Sequence, residues 1–377
     1  MPTYRAYAIV GAVAAIATLL ATPLVRRLAI RLGAVVEPDE RRIHTRPTPT
    51  LGGVAMFVGF CAAFATAWSM DSFHDVFHQS SEPLGVLLAA AVMVLVGSAD
   101  DLREWSAPAK VAGQVLSATL LWWFGVVMFY FSLPFFGVLV LSSDLQPIVT
   151  VLWVLGIANA INLIDGLDGL AAGITAIASG AFFLYAIRLQ SPHVGVLDTR
   201  SIGPLLAIIV FGMCVGFLPF NFNPARIFMG DCGALLLGVL MAASTSVVGG
   251  RVTQRFSGQK YFFFAPLFIP LVVLGVPVLD MLFAIVRRAT RRQSWSEADK
   301  EHLHHRLVKL GHGQRRSVLI LWLWTALLSG FVLYPAYNDG AGNAIVPLGI
   351  AALGLILYTV LHPGVRKKRD PSQSEIL

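Results

Sequence analysis

Apolar residues along this chain fall in long, nearly unbroken runs, with neither the alternation of a half-buried strand nor the narrow stripe of a soluble helix. Eleven stretches predict spanning helices: 4–25, 51–70, 83–98, 108–130, 146–163, 170–189, 203–220, 233–249, 262–286, 317–335 and 343–361. Most approach the roughly 20 residues that carry a helix across the hydrocarbon core. The stretch 262–286 contains Pro266, Pro270 and Pro277, tolerable in a membrane where neighbours satisfy the freed carbonyls. The segment Phe131–Ser143 is too short to cross again and predicts a hairpin or re-entrant loop on the outer side.

Composition agrees with that pattern. Hydrophobic residues make up 56% of the 377 and charged residues 13%, against roughly 45–50% and 25% in soluble domains. The expectation is an all-α integral membrane protein of ten or eleven helices, one polytopic domain over 1–377 without internal repeat. The continuous runs exclude a membrane β-barrel. Cys61, Cys214 and Cys232 are far apart and suggest no disulfide framework.

The net charge of +7 reads as topology and not as nucleic-acid binding. Only Arg5 precedes the first run, and Arg26, Arg27 and Arg31 follow it, which predicts a retained first span with its N-terminus outside. The inner segments are then 26–50, 99–110, 164–169, 221–232, a loop 287–316 and a basic tail 362–377. They hold all of the 28 Lys and Arg except Arg5, Arg188, Arg200, Arg251, Arg255 and Lys260, as the positive-inside rule requires. The run Arg366 to Arg369 reads as a stop signal expected to lie against anionic headgroups. Trp322 and Trp324 read as interfacial anchors.

Five carboxylates collect on that inner face. Asp100 and Asp101 end the third stretch, Asp165 and Asp168 end the fifth, and Asp231 precedes the eighth. Charge at membrane depth pairs, binds ions or faces a wet cavity. Carboxylates with Asn and Gly neighbours suit Mg2+, or Mn2+, held through one or two carboxylates and substrate phosphates. With Lys110 and the flanking arginines they favour phosphoryl chemistry. In the loop 287–316, Ser296 predicts the cap of a helix from Glu297 to Leu310, on which His302, His304 and His305 stand beside Arg306 and can donate to phosphate or sugar oxygens.

Read singly, each motif has a plain structural account. Asp100 and Asp101 can cap a helix or pair with Arg103, Asp165 and Asp168 can close turns, and Asp231 can be an N-cap. The histidines can be a solvated face or a zinc site, and Phe228 can pack against lipid. A transporter with ion-binding carboxylates would place them near the midplane of an inverted repeat, and here they gather at one interface. A CDP-alcohol phosphotransferase needs Ala-Arg soon after its Asp-Gly, whereas Ala171-Ala172-Gly173 follows Asp168-Gly169-Leu170.

Pro49-Thr-Leu-Gly-Gly, Asp100-Asp101, Asn159-Ala-Ile-Asn-Leu-Ile-Asp-Gly-Leu-Asp-Gly, Ile227-Phe-Met-Gly-Asp and His302-Leu-His-His-Arg occur in that order. In this the chain resembles the polyprenyl-phosphate N-acetylhexosamine-1-phosphate transferases, the MraY/WecA family. The His-x-His-His form resembles the WecA branch. MraY-like members carry three consecutive histidines there, and Lys where this chain has Glu104. They also place a uridine-contacting Lys near the first loop, where this chain has Thr45 and Arg46.

The resemblance implies UDP-N-acetylglucosamine as donor, undecaprenyl or decaprenyl phosphate as acceptor, UMP as product and a bacterial plasma-membrane location. It leaves room for a homodimer. The alternative within the family is phospho-N-acetylmuramoyl-pentapeptide transfer. By resemblance, Asp231 binds magnesium with Asn162 beside it, and Asp165, Asp168 and Phe228 surround the uridine and diphosphate. Asp100, supported by Asp101, matches the residue proposed to deprotonate or position the lipid phosphate. His302, His304, His305 and Arg306 match the loop implicated in sugar and diphosphate recognition.

Overall fold

A computed structural model describes residues 2–38, 46–133, 137–192, 194–251, 275, 307, 312–337 and 345–361. The long helices in chain order are α1 (Tyr4–Leu32), α2 (Gly52–Trp68), a short α3 (His74–His78) and α4 (Glu82–Arg103). Then come α5 (Ala107–Trp123), α6 (Leu145–Ile164), α7 (Leu170–Gln190), α8 (Gly203–Asn221), α9 (Gly230–Gly249), α10 (Gly313–Tyr337) and α11 (Ile345–Leu361). Their ends carry ordinary signals. Thr3 caps α1 by accepting from Ala6 N at 3.2 Å, and α4, α5 and α8 carry proline in their first turns, where no intrahelical donor is lost.

Among the described residues, α1, α4, α6, α7, α8, α9 and α10 are long and apolar enough to cross a membrane. The pair of α2 and the short helical segment Asp71–His78, bent by 91° at their break, adds an eighth if taken as one span. Ten of the eleven predicted stretches thus carry a helix, three of them short of the spanning length unless α2 is joined to its neighbour. The stretch 262–286 lies outside the described residues.

Two small antiparallel ribbons interrupt the helical pattern. Val35–Val36 pairs with Thr48–Pro49, which ties the first loop back onto the end of α1. Tyr130–Leu133 pairs with Gly137–Val140, the hairpin predicted for that short segment.

The fold is arranged around α9, whose spanning window is entirely buried, with α2, α4, α6 and α8 packed against it. In lipid, helix association rests on close packing, and small residues permit it. A Cβ added at Gly97 of α4 would overlap the backbone of Asp231 and Cys232, and one at Gly53 of α2 would overlap Cys232 and Gly233. These contacts lie at one end of the bundle, where they press the carboxylate-bearing ends of α4 and α9 together. On α10 the Trp322 ring packs against Gly173 of α7 and lies 5.6 Å from the Phe222 ring, so it fills a gap between helix ends.

Candidate active site

Asp100 sits in the last turn of α4 and Lys110 in the first turns of α5, with a short reversal between them. That reversal is closed by Asp100 itself, whose Oδ1 accepts from Trp105 N at 2.8 Å. Its Oδ2 accepts from Lys110 Nζ at 2.8 Å, and the same ammonium reaches Asp231 Oδ2 on α9 at 2.9 Å. One cation therefore bridges two carboxylates from different helices, and its stem is largely enclosed. Both oxygens of Asp100 are occupied by these bonds, which suits a positioning group better than a free base.

Asp101 faces α9. Its two oxygens accept from Asp231 N at 3.0 Å and Cys232 N at 3.3 Å, satisfying donors that the first turn of any helix leaves orphaned. The N-cap position is Met229, whose side chain makes no capping bond. The capping expected of Asp231 is thus performed from another helix by Asp101. This frees the Asp231 carboxylate to turn toward Lys110. Gly230 makes the geometry feasible, having φ of +70° and leaving no room for a Cβ beside Asp101 and Thr50. In this geometry Asp101 is part of the framework of the site, bracing the first turn of α9. No pairing of Asp100 or Asp101 with Arg103 occurs among the described contacts.

The first-loop motif docks on the same corner. Gly52 N and Gly53 N donate to Phe228 O and Met229 O at 3.0 and 2.9 Å, and Phe228 N donates to Pro49 O at 2.9 Å. Two sequence motifs nearly 180 residues apart thus form one backbone seam, with half-buried Phe228 upon it.

Asp165 and Asp168 occupy the turn between α6 and α7. Asp168 is buried, and its Oδ2 accepts from Asn223 Nδ2 at 2.9 Å and Ala225 N at 3.0 Å. Gly169 N donates to Asn221 Oδ1 at 3.1 Å, and Asn221 Nδ2 donates to Ile227 O at 3.1 Å. Asn221 and Asn223 thus hold the turn against the α8–α9 loop, a role the sequence reading did not assign. The signal was the repeated Asn in Asn221-Phe-Asn-Pro, a residue type that bonds backbone in turns. Asp165 caps the end of α6. Burial, and then the negative charges of Asp231, Asp101 and Asp168, hold its carboxyl well above the ordinary carboxylate range.

Asn162 lies three residues before Asp165 on α6, half-buried. No group of three His, Cys, Asp or Glu among the described residues is arranged as a metal cage. The donor set fits a cation of another kind: one or two carboxylates with an amide oxygen, completed by substrate phosphates and water. The charge crowding on Asp165, Asp231, Asp101 and Asp168 is what such a cation would relieve. His302, His304, His305, Arg306 and Thr45 lie outside the described residues, as does most of the predicted helix 297–310.

Fold and site together define a multi-pass membrane enzyme with an acidic, lysine-bridged centre at the ends of its helices. The chain belongs to glycosyl transferase family 4, whose model matches residues 83–249, the stretch from α4 through α9 that supplies every one of these carboxylates. It is 37% identical over 374 residues to the decaprenyl-phosphate N-acetylglucosaminephosphotransferase of Mycolicibacterium smegmatis, covering 98% of this chain and 91% of the relative. Identity is 35% over 311 residues to a probable undecaprenyl-phosphate N-acetylglucosaminyl 1-phosphate transferase of Bacillus subtilis, covering 82% and 80%. To a phospho-N-acetylmuramoyl-pentapeptide-transferase of Desulforudis audaxviator it is 34% over 325 residues, covering 80% and 88%.

Proposed function

We propose that this enzyme transfers N-acetylglucosamine 1-phosphate from UDP-N-acetylglucosamine to a polyprenyl phosphate of undecaprenyl or decaprenyl type, releasing UMP. The single observation that carries this reading is the Lys110 ammonium held between Asp100 and Asp231, beside a carboxylate turn that a divalent cation would link to a nucleotide diphosphate. The names and near full-length coverage of the mycobacterial relatives favour N-acetylglucosamine over the pentapeptide-bearing sugar.

An oxygen of the lipid phosphate attacks the β-phosphorus of the donor. The new P–O bond forms as the bond from that phosphorus to the bridging oxygen breaks, and UMP departs with the electron pair. No proton need be removed first, because a phosphate monoester is largely ionised near neutral pH. Lys110 turns from its two carboxylates toward the diphosphate and lowers the charge building on it. Asp100 holds that ammonium in place. Asp231 and Asn162 would hold Mg2+, with Asp165 adjacent, and the ion would supply charge neutralisation on the phosphates. Asp165, Asp168 and Phe228 would frame the uridine side. The sugar would meet His302, His304, His305 and Arg306.

The arginine distribution supports an outer N-terminus and a cytoplasmic site in a bacterial plasma membrane. Purified protein given labelled UDP-N-acetylglucosamine, polyprenyl phosphate and Mg2+ should yield labelled lipid and UMP. Absence of labelled lipid, or an Asp231→Asn variant as active as wild type, would sink the reading. Competition with UDP-N-acetylmuramoyl-pentapeptide decides the donor.

A further inference from the structure

Three arginines from three distant parts of the chain are gathered on the loop between α8 and α9. Arg26 of α1 donates from Nε to Arg226 O at 3.0 Å. Arg315 of α10 donates from Nε to Asn223 O at 3.0 Å and to Asn223 Oδ1 at 3.1 Å. Arg226 itself stands on the loop between them. All three side chains are exposed, and none is paired with a carboxylate among the described residues. The carboxylate that touches this loop, Asp168, is buried and bonded to Asn223 and Ala225.

A guanidinium that spends its Nε on a backbone carbonyl is fixed in direction and keeps its terminal nitrogens for an external acceptor. A fork of that kind matches a phosphate oxygen pair. Depth identifies the phosphate. Arg26 lies 22 residues beyond Tyr4 on α1, or about 33 Å of helix, close to the ~30 Å hydrocarbon thickness. Its neighbours Leu24 and Ile30 are 64% and 49% exposed, so the helix there borders lipid while its arginines stand at headgroup level.

We infer that Arg26, Arg226 and Arg315 form a binding surface for the phosphate of an anionic phospholipid headgroup. A bound headgroup bridges α1, the α8–α9 loop and α10. It thereby braces the loop that holds Asp168.

Full-length protein released from nanodiscs containing phosphatidylcholine and phosphatidylglycerol would be examined by native mass spectrometry. Wild type should retain phosphatidylglycerol in preference to phosphatidylcholine. Arg226→Glu, whose side chain makes no described bond and whose loss should leave the fold intact, should lower that retention at least fivefold. Arg27→Ala, on α1 and without a described bond to the loop, should not. Equal retention by wild type, Arg226→Glu and Arg27→Ala would overturn the inference. So would displacement of the lipid by millimolar inorganic phosphate, which would mark a site for free anions. A folded Arg26→Ala/Arg315→Ala variant that keeps the wild-type preference would overturn it too.

Discussion

Lys110 and Asp231 are 121 positions apart in the chain, yet the ammonium of one lies 2.9 Å from the carboxylate of the other. Asp100 holds the same ammonium at 2.8 Å. Removing the cation as Lys110→Met leaves two partly enclosed carboxylates facing each other at the point where phosphate charge must be received. Transfer should fall by about two to three orders of magnitude, the usual loss for a positioned electrostatic group. Lys110→Arg should recover only part of it, since a planar fork cannot reproduce a point charge shared by two carboxylates. UMP release at saturating substrates checks both, and a Lys110→Met enzyme within threefold of wild type would remove Lys110 from the chemistry.

Asp101 and Asp231 should separate in their response to metal. Asp101 acts through the backbone amides of Asp231 and Cys232, so Asp101→Asn keeps one acceptor and lets the first turn of α9 drift. The expected result is a higher Mg2+ concentration for half-maximal rate, with much of the maximal rate kept. Asp231→Asn should lose activity at every Mg2+ concentration. Identical Mg2+ titrations for wild type and Asp101→Asn would contradict the framework role.

Asp165 should make the metal-free protein sensitive to pH. Its carboxyl is raised by burial and by neighbouring carboxylates, whereas in the unfolded chain it titrates near the ordinary value of about 4. Between those two values the folded protein keeps a proton that the unfolded chain has released. Stability in chelator should therefore fall as pH rises through that window. Mg2+ should oppose the fall by stabilising the ionised form. Thermal midpoints with and without Mg2+ across that range provide the check. Asp165→Asn should flatten the chelator curve and shrink the Mg2+ effect, and an unchanged slope would show that another group is responsible.

The helical pattern, more than the site, was legible in the sequence. Unbroken apolar runs located ten described helices, because a spanning helix must hide its backbone polar groups over a fixed thickness. The same runs concealed where helices bend and overshoot. Asp100 and Asp101 were read as the end of a span, but α4 continues to Arg103, which turns adjacent aspartates toward different helices. Which partner each aspartate takes depends on how α4 and α9 cross, and the close approach there is at Gly97, a residue with no polarity to betray it.

Gly97→Ala tests that crossing directly. The added Cβ would run into the Asp231–Cys232 backbone, which belongs to the most enclosed helix and cannot give way as a flexible side chain would. Overpacking of this kind costs about 1–3 kcal/mol, so the thermal midpoint in detergent should drop. The displaced first turn of α9 would carry the Asp231 carboxylate away from Lys110, and activity should fall more steeply than the loss of folded protein explains. Gly156→Ala on α6 is the control, because nothing lies within 4 Å of its added Cβ. That variant should be neutral or gain about 0.5–1 kcal/mol from helix propensity. If Gly97→Ala keeps wild-type specific activity per folded molecule, close approach of α4 to α9 is not what places Asp231.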